Sequence, residues 1–162
     1  MQPEHLIPSR IWQIMPLKSR ELEHTRTWLA LNKGYIDKRG YGFLKWRFGN
    51  TSDIFRAYDN PHNVGMRSDF LRYLLLEAEG GAYTETNTIA LKPIDSWTPS
   101  HLRDNTRLVI GTEYDQRDGR PWEVLPRPLH FAQWTIASAP GHPMLHKMAA
   151  RVVVSAKDLA RQ

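Results

Sequence analysis

The 162-residue sequence contains no cysteine, which excludes a disulfide framework, a thiolate metal site and a cysteine nucleophile. It also lacks any run that approaches the ~18–20 apolar residues of a membrane-spanning helix. Its first residues, 1–6 (MQPEHL), do not follow the charged and then apolar pattern of a signal peptide. We therefore expect a soluble chain without a membrane segment.

Basic runs are absent as well, although the net charge is +5 and the pI is about 9.6. Residues 61–120 hold nine acidic and seven basic side chains, so the positive excess lies in the flanking parts. A protein that binds DNA or RNA usually carries a basic stripe along the phosphate backbone. The sequence therefore predicts no nucleic-acid partner, while a small anionic ligand stays open.

The chain does have enough apolar surface for one core, since 41% of its residues are hydrophobic and 10% are aromatic. Disordered chains have too little apolar surface to offset chain entropy. No internal repeat or long linker divides the sequence. We expect a single domain over residues 1–162.

The first third of the chain predicts a strand, a helix and a mixed segment. The apolar residues 6–15 are typical of a buried strand closed by Pro16. Ser19 and Gly34 suit the start and the end of the helix that follows. Residues 35–64, interrupted by glycines and an Asn-Pro turn, predict a strand and short helices.

A central helix is predicted more clearly, because Ser68 can cap it and Gly80 can end it. Its apolar positions recur at helical spacing and are Leu71, Leu74, Leu75 and Ala78. Residues 82–85 predict a strand, and residues 88–97 predict an extended segment.

The last third predicts a strand at residues 108–114, while residues 131–137 are apolar and fit either a strand or a helix. Pro143 suits the first turn of a final helix. The apolar face of that helix would contain Leu145, Met148, Ala149 and Val152. Alternating strands and helices make the predicted fold class α/β.

Two pairs of polar residues are candidates for chemistry. Asp69 and Arg72 are three residues apart and share one helix face, although an ordinary surface ion pair has the same spacing. Glu85 and Asn87 are two residues apart, so on a strand both would point to one face and offer oxygens to a hard divalent cation. Taken alone, that second pair is better explained by a solvated loop.

The order of several sequence blocks adds a resemblance to a known family. The blocks are residues 7–13 (IPSRIWQ), 67–73 (RSDFLRY), 80–83 (GGAY), 91–97 (LKPIDSW), 109–113 (VIGTE), 133–136 (QWTI) and 139–145 (APGHPML). In this order they resemble glycosyltransferase family 32, which includes the fungal initiation-specific alpha-1,6-mannosyltransferases. The resemblance covers nearly all of the chain.

The resemblance implies a GT-A fold, a Rossmann-like α/β domain that binds a nucleotide-diphosphate sugar and Mn²⁺. It implies transfer of a hexose, here mannose from GDP-mannose, to a glycan hydroxyl in protein N-glycosylation. It also implies a Golgi location. Members of the family have longer catalytic domains, so we expect this chain to be C-terminally incomplete.

Site residues follow from the resemblance position by position. Asp69 and Arg72 match the helix pair that contacts the donor sugar, and Tyr83 matches the aromatic residue before the metal motif. Glu85 and Asn87 occupy the two metal-motif positions, where the family has an Asp-x-Asp sequence. Because Asn is neutral, we expect a weakened metal site.

Four further assignments complete the predicted site. Trp12, Met15 and Arg67 are assigned to donor binding, although Trp12 also fits a core position and Met15 stands where the family commonly has an aromatic residue. Glu113 is assigned as an acid or base, with a solvated carboxylate as the alternative. The departures from the family pattern favour a second hypothesis, a catalytically inactive member or a fragment that binds a glycan or a partner.

Overall fold

The computed structural model describes residues 6–14, 23–33, 36–39, 43–49, 52–59, 64–117, 119 and 127–159. Within them, the strands are Arg10–Gln13 (β1), Ile36–Arg39 (β2), Gly81–Thr84 (β3), Leu108–Asp115 (β4) and Leu129–Ser138 (β5). The α-helices are Glu23–Leu31 (α1), Phe43–Phe48 (α2), Asp53–Asp59 (α3), Val64–Glu79 (α4) and Pro143–Leu159 (α5). Two 3-10 helices cover Ile94–Ser96 and Ser100–Asn105. None of the helices described is both long and apolar enough to cross a membrane.

The strands form one mixed sheet in the order β2-β1-β3-β5-β4. β2, β1 and β3 run parallel, whereas β5 is antiparallel to both β3 and β4. Parallel strands need crossover connections. Helix α1 connects β1 to its neighbour β2, and α2 to α4 connect β2 to β3, which lies on the other side of β1. The predicted α/β class is confirmed.

The central strands β1 and β3 are buried on both faces, and their alternate residues point to opposite sides. Trp12 and Tyr83 belong to the core on one face, together with residues of α4 and α5. Ile11 and Ala82 belong to the core on the other face, together with Trp28 of α1. The molecule therefore has helices on both faces of its sheet.

Helix α4 is more deeply buried than its sequence pattern predicts. Residues 70–76 are buried without interruption, because α4 contacts β3, β5, α3 and α5. The predicted start at Ser68 is wrong, since the helix begins one turn earlier at Val64. Ser68 therefore lies in the second turn of the helix rather than at its N-cap.

Gly80 and Gly81 connect α4 directly to β3. Their φ angles are +64° and +101°, in the left-handed region that favours glycine. A Cβ atom on Gly80 would lie 2.8 Å from the Ser138 carbonyl oxygen, and one on Gly81 would lie 2.8 Å from the Arg10 carbonyl oxygen. The predicted end of the helix is confirmed, and the missing side chains also let β3 enter the sheet closely between β1 and β5.

Several other predictions are confirmed. Residues 35–64 contain a strand and two short helices among those described, and residues 131–137 lie within β5. Pro143 is the first residue of α5. Ser19 and Gly34 lie outside the described residues, although α1 itself is present.

Two local predictions are wrong. Ile94–Ser96 is a 3-10 helix rather than an extended segment, and Pro93, with φ of −60°, directly precedes it. On α5, Met148 is exposed, whereas Met144 packs against the core beside buried Leu145. The buried face of α5 is therefore rotated toward Met144 because it has to follow the surface of α4.

Candidate active site

The carboxyl ends of β1 and β3 lie side by side at one edge of the sheet. Gln13 ends β1 and Thr84 ends β3, and Gln13 Nε2 donates a hydrogen bond to Thr84 Oγ1 over 3.1 Å. Both residues are buried. The strand order reverses at β1. In open α/β sheets, ligands bind outside the carboxyl ends of the strands at such a point, so the cluster beside these ends is the candidate site.

Arg72 of α4 is the centre of this cluster and is only 1% exposed. Its Nη2 donates hydrogen bonds to Asp69 Oδ1 over 2.8 Å and to Glu85 Oε1 over 3.1 Å. Its Nη1 donates to the Gln133 carbonyl oxygen over 2.7 Å. These contacts join α4, the end of β3 and β5. The Asp69–Arg72 pair is present as its spacing predicts, and Glu85 joins it.

The burial of a guanidinium is costly unless the charge is paired and hydrogen-bonded. Two carboxylates and a carbonyl oxygen offset this cost for Arg72. The Arg72 Cζ atom also lies 4.5 Å from the centre of the Tyr83 ring, a cation–π contact. The planar guanidinium therefore fixes the positions of both carboxylates.

A second contact fixes β5 to α4. The Tyr73 hydroxyl donates a hydrogen bond to Gln133 Oε1 over 2.6 Å, next to the bond from Arg72 to the Gln133 backbone. Burial raises the pKa of Tyr73 and of Tyr83, so both hydroxyls keep their protons and can donate hydrogen bonds. The cluster is thus a connected network rather than a single ion pair.

Asp69 and Glu85 remain open to solvent although their partner is buried. Their side chains are 51% and 36% exposed, against 2% for Arg72. Each contacts Arg72 through one oxygen, Oδ1 and Oε1 respectively, and keeps a second oxygen as an acceptor. Two oriented carboxylates at a solvent-facing crevice can accept hydrogen bonds from a ligand rich in hydroxyl groups.

Glu85 and Asn87 do not lie on β3 and do not share a strand face; they lie on a turn, as the alternative of a solvated loop predicts. β3 ends at Thr84, and the chain turns at once. The Glu85 carbonyl oxygen accepts hydrogen bonds from the Thr88 backbone N–H over 3.2 Å and from Thr88 Oγ1 over 2.5 Å. These bonds close the turn, and Asn87 is exposed on it.

As metal ligands, Glu85 and Asn87 offer oxygen atoms, which hard divalent cations prefer. Only Glu85 carries a charge, and its Oε1 already pairs with Arg72. Across the stretches that the structure describes, no group of three or more His, Cys, Asp or Glu side chains is arranged to hold a metal. The two residues fit a divalent cation in ligand type, but they form a partial site that needs further oxygens from a ligand.

Trp12 lies in the core, which is the alternative that its sequence position allows. Its Nε1 donates a hydrogen bond to the Gly80 carbonyl oxygen over 2.7 Å, and its ring packs edge-on against Phe43. Its assignment to donor binding stays a prediction that this environment does not favour. Met15, also assigned to donor binding, lies outside the described residues.

Arg67 contacts α3, and Glu113 lies on the edge strand β4. Arg67 Nη2 donates a hydrogen bond to the Asp59 carbonyl oxygen over 2.9 Å, and its guanidinium lies over the Tyr58 ring. Glu113 lies within the edge strand β4 and is exposed. Their roles in donor binding and in acid–base chemistry remain predictions.

Four residues of the site were not found from the sequence: Gln13, Tyr73, Thr84 and Gln133. Gln13 and Thr84 are polar residues at the carboxyl ends of buried strands, and this placement is typical of residues beside a ligand site. The contact between Arg72 and Gln133 spans 61 residues of sequence, and no local pattern indicates it.

Comparison with known proteins agrees with this geometry. Residues 20–104, more than half of the chain, match the family described as glycosyltransferase sugar-binding region containing DXD motif. The chain belongs to this family. The match includes α4 and the turn with Glu85 and Asn87, and families with a DXD motif generally bind a divalent metal. In this member the motif positions carry Glu and Asn.

Fungal mannosyltransferases are among the similar sequences of the family. The initiation-specific alpha-1,6-mannosyltransferase of Schizosaccharomyces pombe is 36% identical over 157 residues, which cover 90% of this chain and 39% of that protein. The enzyme of the same name in Candida albicans is 32% identical, with 90% of this chain and 42% of that protein covered. The chain thus spans about two fifths of the length of these relatives.

A solved structure supports the fold. The PaToxG glycosyltransferase superposes with a TM-score of 0.64 over 97% of this chain and 64% of that chain, at 16% sequence identity. At this identity the likeness concerns the fold alone. The predicted GT-A type of α/β fold is confirmed.

Proposed function

We propose that this chain carries the donor-sugar site of a glycosyltransferase, which transfers a hexose from a nucleotide-diphosphate sugar to a glycan hydroxyl. The observation that carries the proposal is the buried Arg72, which holds the exposed carboxylates Asp69 and Glu85 beside the carboxyl ends of β1 and β3. Membership in a sugar-binding glycosyltransferase family supports it. Mannose is the proposed sugar, after the names of the relatives. GDP-mannose is the proposed donor, as the family resemblance of the sequence implies.

Asp69 and Glu85 would bind the hexose by accepting hydrogen bonds from its hydroxyl groups. Arg72 is a positioning residue in this scheme, since it lies behind the carboxylates and orients them through its hydrogen bonds. Preorganised charges of this kind cost no reorganisation when the sugar becomes electron-poor in the transition state.

In the reaction, the bond between the anomeric carbon and the diphosphate oxygen breaks, and its electron pair stays with the diphosphate. The acceptor oxygen forms the new bond to the anomeric carbon and gives its proton to a base, for which Glu113 is the sequence-based candidate. Glu85 and Asn87 would hold a divalent cation, with Mn²⁺ as the proposed ion. Such a cation, when bound, neutralises charge on the diphosphate.

Donor turnover by the full chain tests the proposal. The chain is incubated with GDP-mannose and, separately, with UDP-hexoses in the presence of MnCl₂, and released nucleoside diphosphate and binding heat are measured. We expect GDP-mannose to be bound and hydrolysed. Asp69→Asn should reduce hydrolysis by about 100-fold, whereas Asp104→Asn, on the second 3-10 helix, should not. If no nucleotide sugar is bound or hydrolysed, the enzymatic proposal fails.

A second candidate function is glycan binding without transfer. It is favoured by the Glu-Thr-Asn sequence at residues 85–87, which offers one carboxylate where the family name implies two. Glycan binding by a chain that leaves every donor intact would support it. In the enzymatic case we propose a Golgi location and a role in protein N-glycosylation, and localisation of the tagged full-length protein tests this.

A further inference from the structure

Strand β5 departs from regular pairing next to the candidate site. Its register against β4 moves from Ile110 opposite Ile136 to Thr112 opposite Phe131, so two steps along β4 correspond to five along β5. The additional residues of β5 form an irregular bulge over residues 132–135. Bulges are frequent beside active sites because they turn side chains to new directions.

The backbone of this bulge is attached to the site by two hydrogen bonds. The Gln133 carbonyl oxygen accepts one from Arg72 over 2.7 Å. The Trp134 carbonyl oxygen accepts one from the Glu85 backbone N–H over 3.0 Å. Ala132, the first residue of the bulge, is buried. The side chains on this part of β5 are therefore presented from a fixed backbone.

Two large aromatic side chains are exposed on the bulge and at its end. The exposed fraction is 42% for Trp134 and 51% for Phe131. The Gln133 amide lies on the same backbone segment, and Glu85 is hydrogen-bonded to that segment through its backbone N–H. The Gln133 amide and the Glu85 carboxylate are both accessible to solvent. Flat apolar surface is thus combined with polar groups that donate and accept hydrogen bonds.

We propose that Trp134, supported by Phe131, is the stacking platform for a mannose-containing acceptor glycan. A pyranose ring presents a flat face of C–H groups and a rim of hydroxyls. The face can pack on an indole ring, while the hydroxyls bond to amide and carboxylate groups. The assignment of this glycan as the acceptor rests on the proposed function.

The position of Trp134 favours the acceptor over the donor. Its peptide group is hydrogen-bonded to Glu85, which is proposed to bind the transferred hexose. Opposite residues on antiparallel strands carry neighbouring side chains, so we infer that a glycan on the Trp134 ring lies beside that hexose, where an acceptor hydroxyl has to be held for the reaction. β5 also lies on the side of β3 away from β1, so the platform leaves the crevice between β1 and β3 free.

Fluorine NMR on the full chain labelled with 5-fluorotryptophan tests the platform. The chain has six tryptophans, and the signal of Trp134 is the one that Trp134→Phe removes. We expect mannotetraose, added without donor, to shift the Trp134 signal. Trp46, which is 75% exposed on α2, supplies the control signal and should not shift.

Affinity for mannotetraose gives a second measurement. Trp134→Ala should weaken binding by about fivefold, and Phe131→Ala by less, because an aromatic stacking contact contributes on the order of 1 kcal/mol. Trp46→Ala should bind like the wild type. The inference is overturned if wild-type chain does not bind mannotetraose, if the Trp134 signal does not move, or if Trp134→Ala binds as tightly as the wild type.

The platform and the proposed function can fail separately. Hydrolysis of GDP-mannose without glycan binding would refute the platform and leave the donor site standing. Binding of mannotetraose at Trp134 without hydrolysis of any donor would support the platform and refute the transferase.

Discussion

The two halves of the candidate site are built in opposite ways. The half around Arg72 is buried and tied to α4, β3 and β5 by hydrogen bonds and a ring contact. The other half lies on the turn after β3, where Asn87 is exposed, and Glu85 joins the two halves because its carboxylate pairs with Arg72. A residue change at exposed Asn87 costs little folding energy, whereas a change at Arg72 disturbs packing. The position of Asn87 is therefore free to vary while the Arg72 cluster keeps its structure.

Of the changes predicted for the two halves, replacement of Arg72 by Met should have the largest effect on activity and stability. The change removes the partner of two carboxylates and leaves the Gln133 carbonyl oxygen without its donor. We expect donor hydrolysis to fall by at least about 100-fold and the free energy of unfolding to fall by about 2 kcal/mol, less than for a fully buried pair because the carboxylates can hydrate. Urea unfolding and the hydrolysis assay measure the two effects.

Arg151→Met is the matched control, since Arg151 is exposed on α5. It should leave both quantities near their wild-type values. Arg72→Lys keeps the charge but loses the planar fork, so we expect intermediate values. An unfolding free energy of Arg72→Met equal to that of Arg151→Met would contradict the description of the Arg72 cluster as a buried network.

The sequence predicts those parts of the site that depend on local spacing. Asp69 and Arg72 lie three residues apart on a helix, and their pairing follows from helix geometry alone. Gly80 and Gly81 are an equally local signal, because only glycine suits their positive φ angles.

Features that depend on tertiary packing could not be predicted in this way. The burial of α4 on several sides and the contact of Arg72 with Gln133 arise only when β5 and α5 have docked. The turn at Glu85, by contrast, has a local cause, because Thr88 closes it with both its N–H and its hydroxyl group. These two hydrogen bonds, rather than strand alternation, determine the course of the chain over residues 85–88.

Restoration of charge on the turn should have the second-largest effect. Asn87→Asp adds a carboxylate at an exposed position, and one unit charge near a divalent cation contributes about 2 kcal/mol in a solvated setting. We expect Mn²⁺ affinity to rise by about 30-fold, as measured by electron paramagnetic resonance of free Mn²⁺. Asn105→Asp, at the end of the second 3-10 helix, is the control and should leave the affinity unchanged.

Tyr73→Phe should destabilise the buried half of the site less than Arg72→Met does. It removes one hydrogen bond to Gln133, so the variant should be less stable at pH 8 by about 1 kcal/mol. Because burial raises the pKa of Tyr73, the stability that its protonated form provides is complete below about pH 10 and is lost as the pH rises through the folded-state pKa. The difference between wild type and variant should therefore shrink at pH 11. A difference that stays constant between pH 8 and pH 11 in urea titrations would show that the hydroxyl is not buried.

An ion pair outside the site gives the smallest expected effect. Lys157 Nζ lies 2.7 Å from Asp53 Oδ2, and Arg72 Nη2 lies 2.8 Å from Asp69 Oδ1, so the two pairs are equally short. Both side chains of the Lys157–Asp53 pair are at least half exposed, and exposed pairs are largely screened by water and salt. Lys157 lowers the pKa of Asp53, so any stability from the pair exists above the ordinary aspartate pKa and is lost as the pH falls. We expect Asp53→Asn to leave the urea midpoint at pH 7 unchanged within error. A loss as large as that of Arg72→Met would mean that contact distance, rather than burial and connectivity, determines what these ion pairs contribute.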